Sequence, residues 1–363
     1  MTDSNDLLAT LAQAERSAEL TQARITRQGA SDAIQASYHA LFDAEEEDFP
    51  ADERALLAQR ISEWHGASAL AAHYAARQQR RPATTPRLSA ALDHAERLAF
   101  KPAEAAPEHL QALQQAGWSP AAIVTLSQLI AFVSFQSRLL YGYRLLAGDV
   151  PPAAEPVPAA SWRRAPLTHG GRPAPPAFTR QELGWEPWIA AKPLAEFDAV
   201  GLALLARFGH TDSDYFRLLA RNHPLLEQRT LADRAIFYTS GGLARQDREL
   251  AATVASKVNG CIYCASVHAR KAAQLSKREE EVQRLLDVAP GGVLSAGQQE
   301  AWRAQIEFAA ALSATPPRAD AEQLATLRRQ GLSELALLDL VQSTAFFAWA
   351  NRLMLTLGEP FEP

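Results

Sequence analysis

Cysteine is scarce in this sequence: the chain of 363 residues contains two, Cys261 and Cys264. Two cysteines cannot form the framework of several disulfides that small secreted domains use, which favours a reducing, cytoplasmic setting. The first residues lack a basic stretch followed by an apolar one, so no signal peptide is predicted. No apolar run reaches the about 18–20 residues that span a bilayer, and no membrane association is expected.

Positive charge is also in deficit. With 36 Lys and Arg against 41 Asp and Glu, the formal net charge is -5, which gives no general attraction to nucleic acid or to anionic lipid. Valine, isoleucine and tyrosine are sparse beside alanine and leucine in a chain that is 47% hydrophobic. This composition favours helices over sheets and predicts an all-α protein with enough apolar residues for two cores.

Proline is concentrated in one stretch, which divides the chain into three parts. Many prolines, together with Gly170–Gly171, lie between about Gly148 and Pro187. Such a composition cannot form a helix and predicts an extended linker on the surface. We therefore predict an N-terminal helical domain at residues 1–147, a linker at 148–187 and a C-terminal helical domain at 188–363.

Helical patterns fill both sides of this linker. In the N-terminal half they include one long helix over residues 52–80. The other main predictions are 6–46 (with a break near Gln28–Gly29), 88–100, 107–116, 119–146, 193–207, 212–221, 223–240, 245–258, 261–275, 277–287, 296–313, 318–329 and 333–357.

The second half of the chain resembles the first. Eight residues in the range 117–139 recur in the range 331–353 at a constant offset of 214 residues. Five residues in the range 54–66 recur in the range 248–260 at an offset of 194. The change of offset predicts about twenty extra residues between these blocks in the second copy, and the whole pattern predicts a diverged tandem duplication.

The two cysteines lie in the stretch 249–268, with the sequence ELAATVASKVNGCIYCASVH. On a helix, Cys261 and Cys264 are i, i+3 neighbours, and Cys264 and His268 are i, i+4 neighbours, so all three side chains share a face. A cysteine reacts as its thiolate, and a Cys-x-x-Cys pair can close into a disulfide after one sulfur is oxidised. This spacing predicts a redox site.

A turn is expected between the acid of this stretch and its sulfurs. In one unbroken helix, Glu249 would lie about 18 Å from Cys261. The pair Asn259–Gly260 tends to end a helix, and a turn there would bring the carboxylate back toward the sulfurs. The same turn would place Cys261 in the first turn of a new helix, where the helix dipole favours a thiolate. This argument points to Cys261 as the more acidic sulfur.

The N-terminal copy carries none of these reactive groups. At the offset of 194 residues, the site residues Glu249, Cys261, Cys264 and His268 correspond to Ala55, Ala67, Leu70 and Tyr74. One active copy and one silent copy is the simplest interpretation.

The pattern Glu-x11-Cys-x-Tyr-Cys-x3-His, from Glu249 to His268, resembles the active-site motif of the alkylhydroperoxidase D branch of the carboxymuconolactone decarboxylase-like superfamily. The segment 182–188, ELGWEPW, resembles a lead-in of two-domain members named peroxidase-related proteins. The resemblance covers about 182–358 and is weaker over about 30–147. It implies an all-helical fold and a homo-oligomer, since members assemble into trimers or hexamers. Tyr263 stands where the best-known member has a second histidine.

The resemblance implies a dithiol peroxidase that needs no metal or other cofactor. Cys264 would attack a hydroperoxide and become a sulfenic acid, and Cys261 would resolve it as a disulfide. His268, with Glu249, would relay protons, and its place one turn from Cys264 favours Cys264 as the attacking sulfur. An external dithiol, a lipoyl group or a thioredoxin-like protein, would restore the thiols.

Other interpretations of the site remain open. One is a thiol–disulfide oxidoreductase of sulfur metabolism, and another is a redox-responsive interaction scaffold that uses the silent copy for docking. A decarboxylase fits less well because its cofactor-free chemistry needs no dithiol. A zinc site needs about four ligands, whereas the motif supplies two sulfurs and at most His268. Arg138 and Arg352 recur at equivalent places, which favours a shared structural ion pair over catalysis.

Overall fold

The computed structural model describes residues 6–149, 157–162 and 165–363. Two parts of the predicted linker, residues 150–156 and 163–164, lie outside the described residues, as do residues 1–5.

Both halves of the chain are built from helices, as the composition predicts. The helices of the N-terminal half are α1 (Leu7–Ala12), α2 (Ala18–Thr26), α3 (Gln28–Phe42), α4 (Ala51–Trp64), α5 (Ser68–Ala76), α6 (Pro86–Phe100), α7 (Pro107–Gln115) and α8 (Pro120–Leu146). Those of the C-terminal half are α9 (Ala199–Phe208), α10 (Asp214–Leu219), α11 (His223–Phe237), α12 (Arg245–Asn259), α13 (Ile262–Ser276), α14 (Glu279–Asp287), α15 (Glu300–Ser313), α16 (Ala321–Arg329) and α17 (Glu334–Leu357).

Two short strands, β1 (Gly184–Pro187) and β2 (Gly358–Phe361), form a small antiparallel sheet. Gly184 lies opposite Phe361, and Pro187 lies opposite Gly358. The sheet ties the end of the predicted linker to the C-terminus of α17. The all-α prediction is confirmed, with this sheet as a minor addition.

The helix predicted over residues 52–80 is wrong as one element. The chain forms α4 and α5, with a turn at Gly66, whose φ is +70°. A left-handed residue interrupts a right-handed helix, and glycine adopts this conformation at little steric cost. Gly66 is the residue that the internal repeat aligned with Gly260, and the φ of Gly260 is +76°.

The helix order repeats in the way that the two offsets predict. Helices α4 and α5 correspond to α12 and α13, and helices α6, α7 and α8 correspond to α15, α16 and α17. Helix α14 stands between the two sets with no counterpart in the N-terminal half, where the twenty extra residues were expected. The duplication is therefore visible in the order of the elements as well as in the sequence.

Helices with matching places in the two halves pack against each other. Helix α8 packs along its counterpart α17, and α3, which precedes α4, packs along α11, which precedes α12. Ser119 caps α8 by accepting from the amide of Ala122 (3.1 Å), and Ser333 caps α17 by accepting from the amide of Ala336 (3.3 Å). The same elements meet on both sides of the contact, as in an isologous dimer. The two halves therefore share one apolar core.

Helix α8 is long and apolar enough to cross a bilayer, which the sequence analysis did not expect. The most apolar stretch of 18 residues in this helix is wholly buried inside the protein. Burial on every side, against α17 and the helices of its own half, explains why this helix is apolar all round.

Arg138 and Arg352 join the halves reciprocally. Arg138 of α8 donates to the carbonyls of Ser313 (3.0 Å) and Ala314 (3.1 Å) at the end of α15. Arg352 of α17 donates to the carbonyls of Leu98 (2.8 Å) and Ala99 (3.0 Å) at the end of α6. The predicted structural role is therefore seen, but these partners are helix-terminal carbonyls and not the carboxylate of an ion pair.

Candidate active site

A helix hairpin, α12 followed by α13, carries all four predicted site residues. The amide of Cys261 donates to the carbonyl of Ser256 (2.8 Å), and Gly260 between the helices has a φ of +76°. This is the glycine-centred cap that ends many helices. It makes Cys261 the N-cap of α13 and places Cys264 in the first turn of that helix.

The acid and the histidine of the motif meet across this hairpin. Glu249 on α12 is 1% exposed, and its Oε2 lies 2.5 Å from Nδ1 of His268 on α13. Arg245, one turn before Glu249, donates from Nε to the other carboxylate oxygen (2.6 Å). The turn at Gly260 therefore brings Glu249 back to His268, one helical turn from Cys264, and does not leave the carboxylate in solvent.

These contacts fix the charges of the pair. Burial by itself would raise the pKa of Glu249, but the charge and hydrogen bond of His268, with Arg245, hold that pKa below its usual value. Burial by itself would lower the pKa of His268, but Glu249 raises that pKa above its usual value. The arrangement favours a carboxylate beside an imidazolium, a charge-assisted hydrogen bond.

The two cysteines are free thiols and nearly buried, with Cys261 1% and Cys264 5% exposed. Burial would raise the pKa of Cys264, but a hydrogen bond from Cys261, the charge of His268 and the Asn351 amide lower that pKa below its usual value. Burial, followed by the contact with the Cys264 sulfur, raises the pKa of Cys261 well above its usual value. Cys264 is thus the sulfur favoured as the thiolate, against the helix-dipole argument.

Sequence reasoning missed Asn351 of α17, which interacts with both sulfurs. Its amide nitrogen donates to Oγ of Ser256 (3.0 Å), and its carbonyl oxygen accepts from Asn259 (3.0 Å). These bonds lock the amide in one orientation, with α12 as its support. The available signal was one uncharged polar residue in the apolar run 345–351.

Arg245 was also missed, although its i, i+4 spacing to Glu249 is the spacing of helical ion pairs. It belongs to the wall of a cleft of about 1040 Å³ that reaches Glu249 and His268 from outside. The cleft is also lined by Arg180, Arg270 and Lys271, and the two cysteines are not among its lining residues. The cleft therefore opens onto the carboxylate–imidazole pair and not onto the sulfurs.

The hairpin lies within a segment that matches a known protein family. Residues 224–311 match the model of the Carboxymuconolactone decarboxylase family. The matched segment contains Glu249, Cys261, Cys264 and His268. The resemblance that the motif predicted is therefore confirmed at the level of this family.

One solved structure is similar to part of the chain. A structure titled "uncharacterized peroxidase-related protein" from Silicibacter sp. TM1040 is 22% identical, with a TM-score of 0.37; the match covers 45% of this chain and 86% of that one. At this TM-score the likeness supports no argument about fold or function. A search of curated proteins found no match.

The N-terminal half has the hairpin of the family segment without its chemistry. The amide of Ala67 donates to the carbonyl of Ser62 (2.9 Å), as the amide of Cys261 does to that of Ser256. Tyr74, at the position of His268, is buried, and its hydroxyl bonds to Gln136. Ala55, at the position of Glu249, is buried as well. Apolar and neutral groups thus replace the charged pair.

Within the described residues, no group of three or more His, Cys, Asp or Glu side chains is arranged to hold a metal ion.

Proposed function

We propose that this protein is an oxidoreductase that reduces hydroperoxides with the dithiol pair Cys261 and Cys264. The observation that carries the proposal is the hydrogen bond of 2.5 Å between Glu249 and His268 on the hairpin that also presents both free thiols. A paired acid and imidazole beside a thiol favour the thiolate, which is the form that attacks.

In the first step, the Cys264 thiolate attacks the terminal oxygen of a hydroperoxide ROOH. The O–O bond breaks, the sulfur becomes a sulfenic acid, and the other oxygen leaves as an alkoxide. A proton from the imidazolium of His268 converts this alkoxide to the alcohol. Glu249 holds the imidazole and its charge, and Arg245 holds Glu249.

In the second step, the Cys261 thiol attacks the sulfur of the sulfenic acid. A disulfide forms, and the hydroxyl leaves as water with one proton. The raised pKa of Cys261 suits this order, since its thiol stays protonated while Cys264 reacts. An external dithiol, either a lipoyl group or a thioredoxin-like protein, then reduces the disulfide and is itself oxidised.

The burial of the sulfurs bears on the choice between substrates. With Cys264 5% and Cys261 1% exposed, a small hydroperoxide reaches the sulfur more readily than a disulfide on another folded protein does. This favours a peroxidase over a general thiol–disulfide oxidoreductase. It also favours a slender reductant such as a lipoyl arm.

The family match supports an enzyme of this fold but does not choose the reaction. A decarboxylase would not need two thiols, whereas the proposed reaction uses both. We further propose a reducing, cytoplasmic location, where the thiols stay reduced, a homo-oligomeric assembly, and a silent N-terminal domain joined to an active C-terminal one.

The test is turnover of tert-butyl hydroperoxide by the full-length protein with a dihydrolipoyl compound as reductant. Cys264→Ser is expected to abolish turnover, because no thiolate remains at the attacking position. Cys261→Ser is expected to consume about one equivalent of peroxide and to stop at the sulfenic acid. Mass spectrometry identifies the sulfenic acid after trapping.

Undiminished turnover by Cys264→Ser would refute the assignment of the attacking sulfur. Slow oxidation of the wild type by a single equivalent, with a change of assembly state and no turnover, would instead favour the redox-responsive scaffold. Reduction of small disulfides without any reaction with peroxide would favour the thiol–disulfide oxidoreductase.

A further inference from the structure

Two buried polar groups in the neighbourhood of the sulfurs have no hydrogen-bond partner among the described residues. One is the hydroxyl of Tyr215 on α10, a side chain that is 8% exposed. The other is Nε of Arg229 on α11, a side chain that is 5% exposed. Most buried donors in folded proteins are paired, so both groups are available to a ligand atom.

The side chains that carry these two groups are neighbours. The guanidinium carbon of Arg229 is 6.0 Å from the ring centre of Tyr215 and 5.3 Å from that of Phe346. The ring of Tyr215 also contacts Trp185 of β1, edge to face, at 5.4 Å. The phenol and the guanidinium are therefore both positioned by packing against aromatic side chains.

One face of α11 carries Arg229 and also contacts the proposed active site. Arg229, Asp233 and Phe237 are spaced four residues apart and share one face. The ring of Phe237 is 6.0 Å from that of His268. Phe346, which the guanidinium of Arg229 contacts, has its ring centre 6.2 Å from that of the same Phe237. A single aromatic side chain therefore separates Arg229 from a neighbour of His268.

The charges of these residues are consistent with that position. The positive charge of Arg229 is one of the effects that lower the pKa of Cys264. Burial raises the pKa of Tyr215, the charge of Arg229 lowers it, and the neighbouring sulfur pair raises it further. Each effect needs a short distance in a medium with little water, and both support the placement from packing.

Asp233 does not satisfy the guanidinium. Its Oδ2 is 4.0 Å from Nη1 of Arg229, which is too long for a hydrogen bond. Its side chain is 37% exposed, whereas that of Arg229 is 6% exposed. Arg229 therefore keeps donors available on the buried side of the contact.

We propose that Tyr215 and Arg229 are catalytic residues that bind the oxygen atom leaving from the peroxide, an inference that rests on the proposed hydroperoxide reduction. When the Cys264 thiolate takes the terminal oxygen and the O–O bond breaks, the electron pair remains on the alkoxide oxygen. The phenol O–H and the guanidinium N–H stabilise this charge until the proton from His268 gives the alcohol. Fixed donors at the site where charge develops are an effective form of catalysis.

The ligand of these two donors is an oxygen atom, whatever group it carries. Tyr215 and Arg229 are thus expected to serve small organic hydroperoxides as a class. They should not assist an alkylating agent that transfers carbon to sulfur and releases a halide. This difference gives a test that separates the role of the two donors from the reactivity of the thiolate.

The experiment measures two single-turnover rates of the full-length, reduced protein by mass spectrometry. One is oxidation by tert-butyl hydroperoxide and the other is alkylation by iodoacetamide, at the same pH. For Tyr215→Phe, the oxidation rate is expected to fall about 100-fold, the usual effect of losing one such donor, while the alkylation rate stays at the wild-type value. Tyr74→Phe, which removes a buried hydroxyl from the silent half, is the matched control and should change neither rate.

An oxidation rate of Tyr215→Phe equal to that of the wild type would overturn the inference. A parallel fall of both rates would overturn it too, because the tyrosine would then act through the thiolate or the fold. If the wild type is alkylated but not oxidised, the proposed function itself fails. If Tyr215→Phe does not fold, Arg229→Lys replaces it. A fall confined to oxidation then supports the proposed role of the two donors, whereas an unchanged oxidation rate or a parallel fall of both rates overturns it.

Discussion

At the scale of single residues, the site is decided by which charges are buried together. Glu249 is almost fully buried, yet it has two cationic partners, Arg245 and His268. A buried carboxylate without partners would take up a proton. The pair therefore keeps both its ionised groups, and the charge next to Cys264 keeps that sulfur the more acidic of the two.

The Glu249–His268 pair should make the free energy of unfolding depend on pH. The pKa of His268 is raised in the folded state, so its contribution is complete below the unfolded value near 6.5 and is lost as the pH rises through the folded value. The free energy of unfolding of the wild type should therefore exceed that of His268→Asn by more at pH 5.5 than at pH 9. Denaturant titration at both pH values measures this difference.

A second histidine, His94, provides a control in which the pH dependence of stability has the opposite sign. Burial lowers the pKa of His94 to about 3, so its contribution is present above about 6.5 and is lost as the pH falls. The advantage of the wild type over His94→Asn should shrink at low pH. If the advantage of the wild type over His268→Asn also shrinks at low pH, the ionised Glu249–His268 pair is refuted.

At the scale of elements, the site depends on the hairpin between α12 and α13. A glycine at its turn serves two purposes, a left-handed conformation and close packing. A Cβ at Gly260 would lie 2.5 Å from Cβ of Ala103 and 3.2 Å from the carbonyl oxygen of Ser161. The equivalent Gly66 has the same conformation but more room, with Cβ of Pro316 at 3.6 Å.

These two glycines form a matched pair. Gly66→Ala should destabilise the protein by about 1–2 kcal/mol, the cost of the left-handed conformation. Gly260→Ala should cost more, since the contact with Ala103 is added, and should also slow the oxidation of Cys264. Denaturant titration and the single-turnover rate measure the two effects. Equal costs for both variants would show that the close packing at Gly260 does not matter.

At the scale of the whole molecule, the two halves complete each other. Helix α8 packs on α17, and Arg138 and Arg352 each donate to the end of a helix in the other half. Burial lowers the pKa of Arg352 to about 9, which shows how little water reaches this contact. The N-terminal half is thus part of the framework that holds α17, and with it Asn351, against the sulfurs.

One cooperative transition is therefore expected when the protein unfolds, in spite of the two-domain prediction. Arg352→Met should lower the free energy of that single transition by about 2–4 kcal/mol, because two buried carbonyls lose their donor. Arg329→Met, at a side chain that is 63% exposed, should change it by less than about 0.5 kcal/mol. Calorimetry that resolves two transitions, with Arg352→Met affecting only one, would contradict the shared core.

The sequence alone determined the helical class, most helix positions and the duplication, because these follow from local spacing of apolar residues, prolines and glycines. It also pointed to the stretch from Glu249 to His268, where the pattern is contiguous. The break at Gly66 was within its reach through the alignment with Gly260, since a left-handed glycine recurs with the repeat.

The tertiary structure alone decided what the site touches. Asn351 is nearly ninety residues from the cysteines, and Tyr215 and Arg229 precede the motif, so no local spacing connects them to the sulfurs. The same holds for Arg138 and Arg352, whose partners lie in the opposite half. Hydrogen bonds and charges depend on distance in space, and only the packing of distant helices sets that distance.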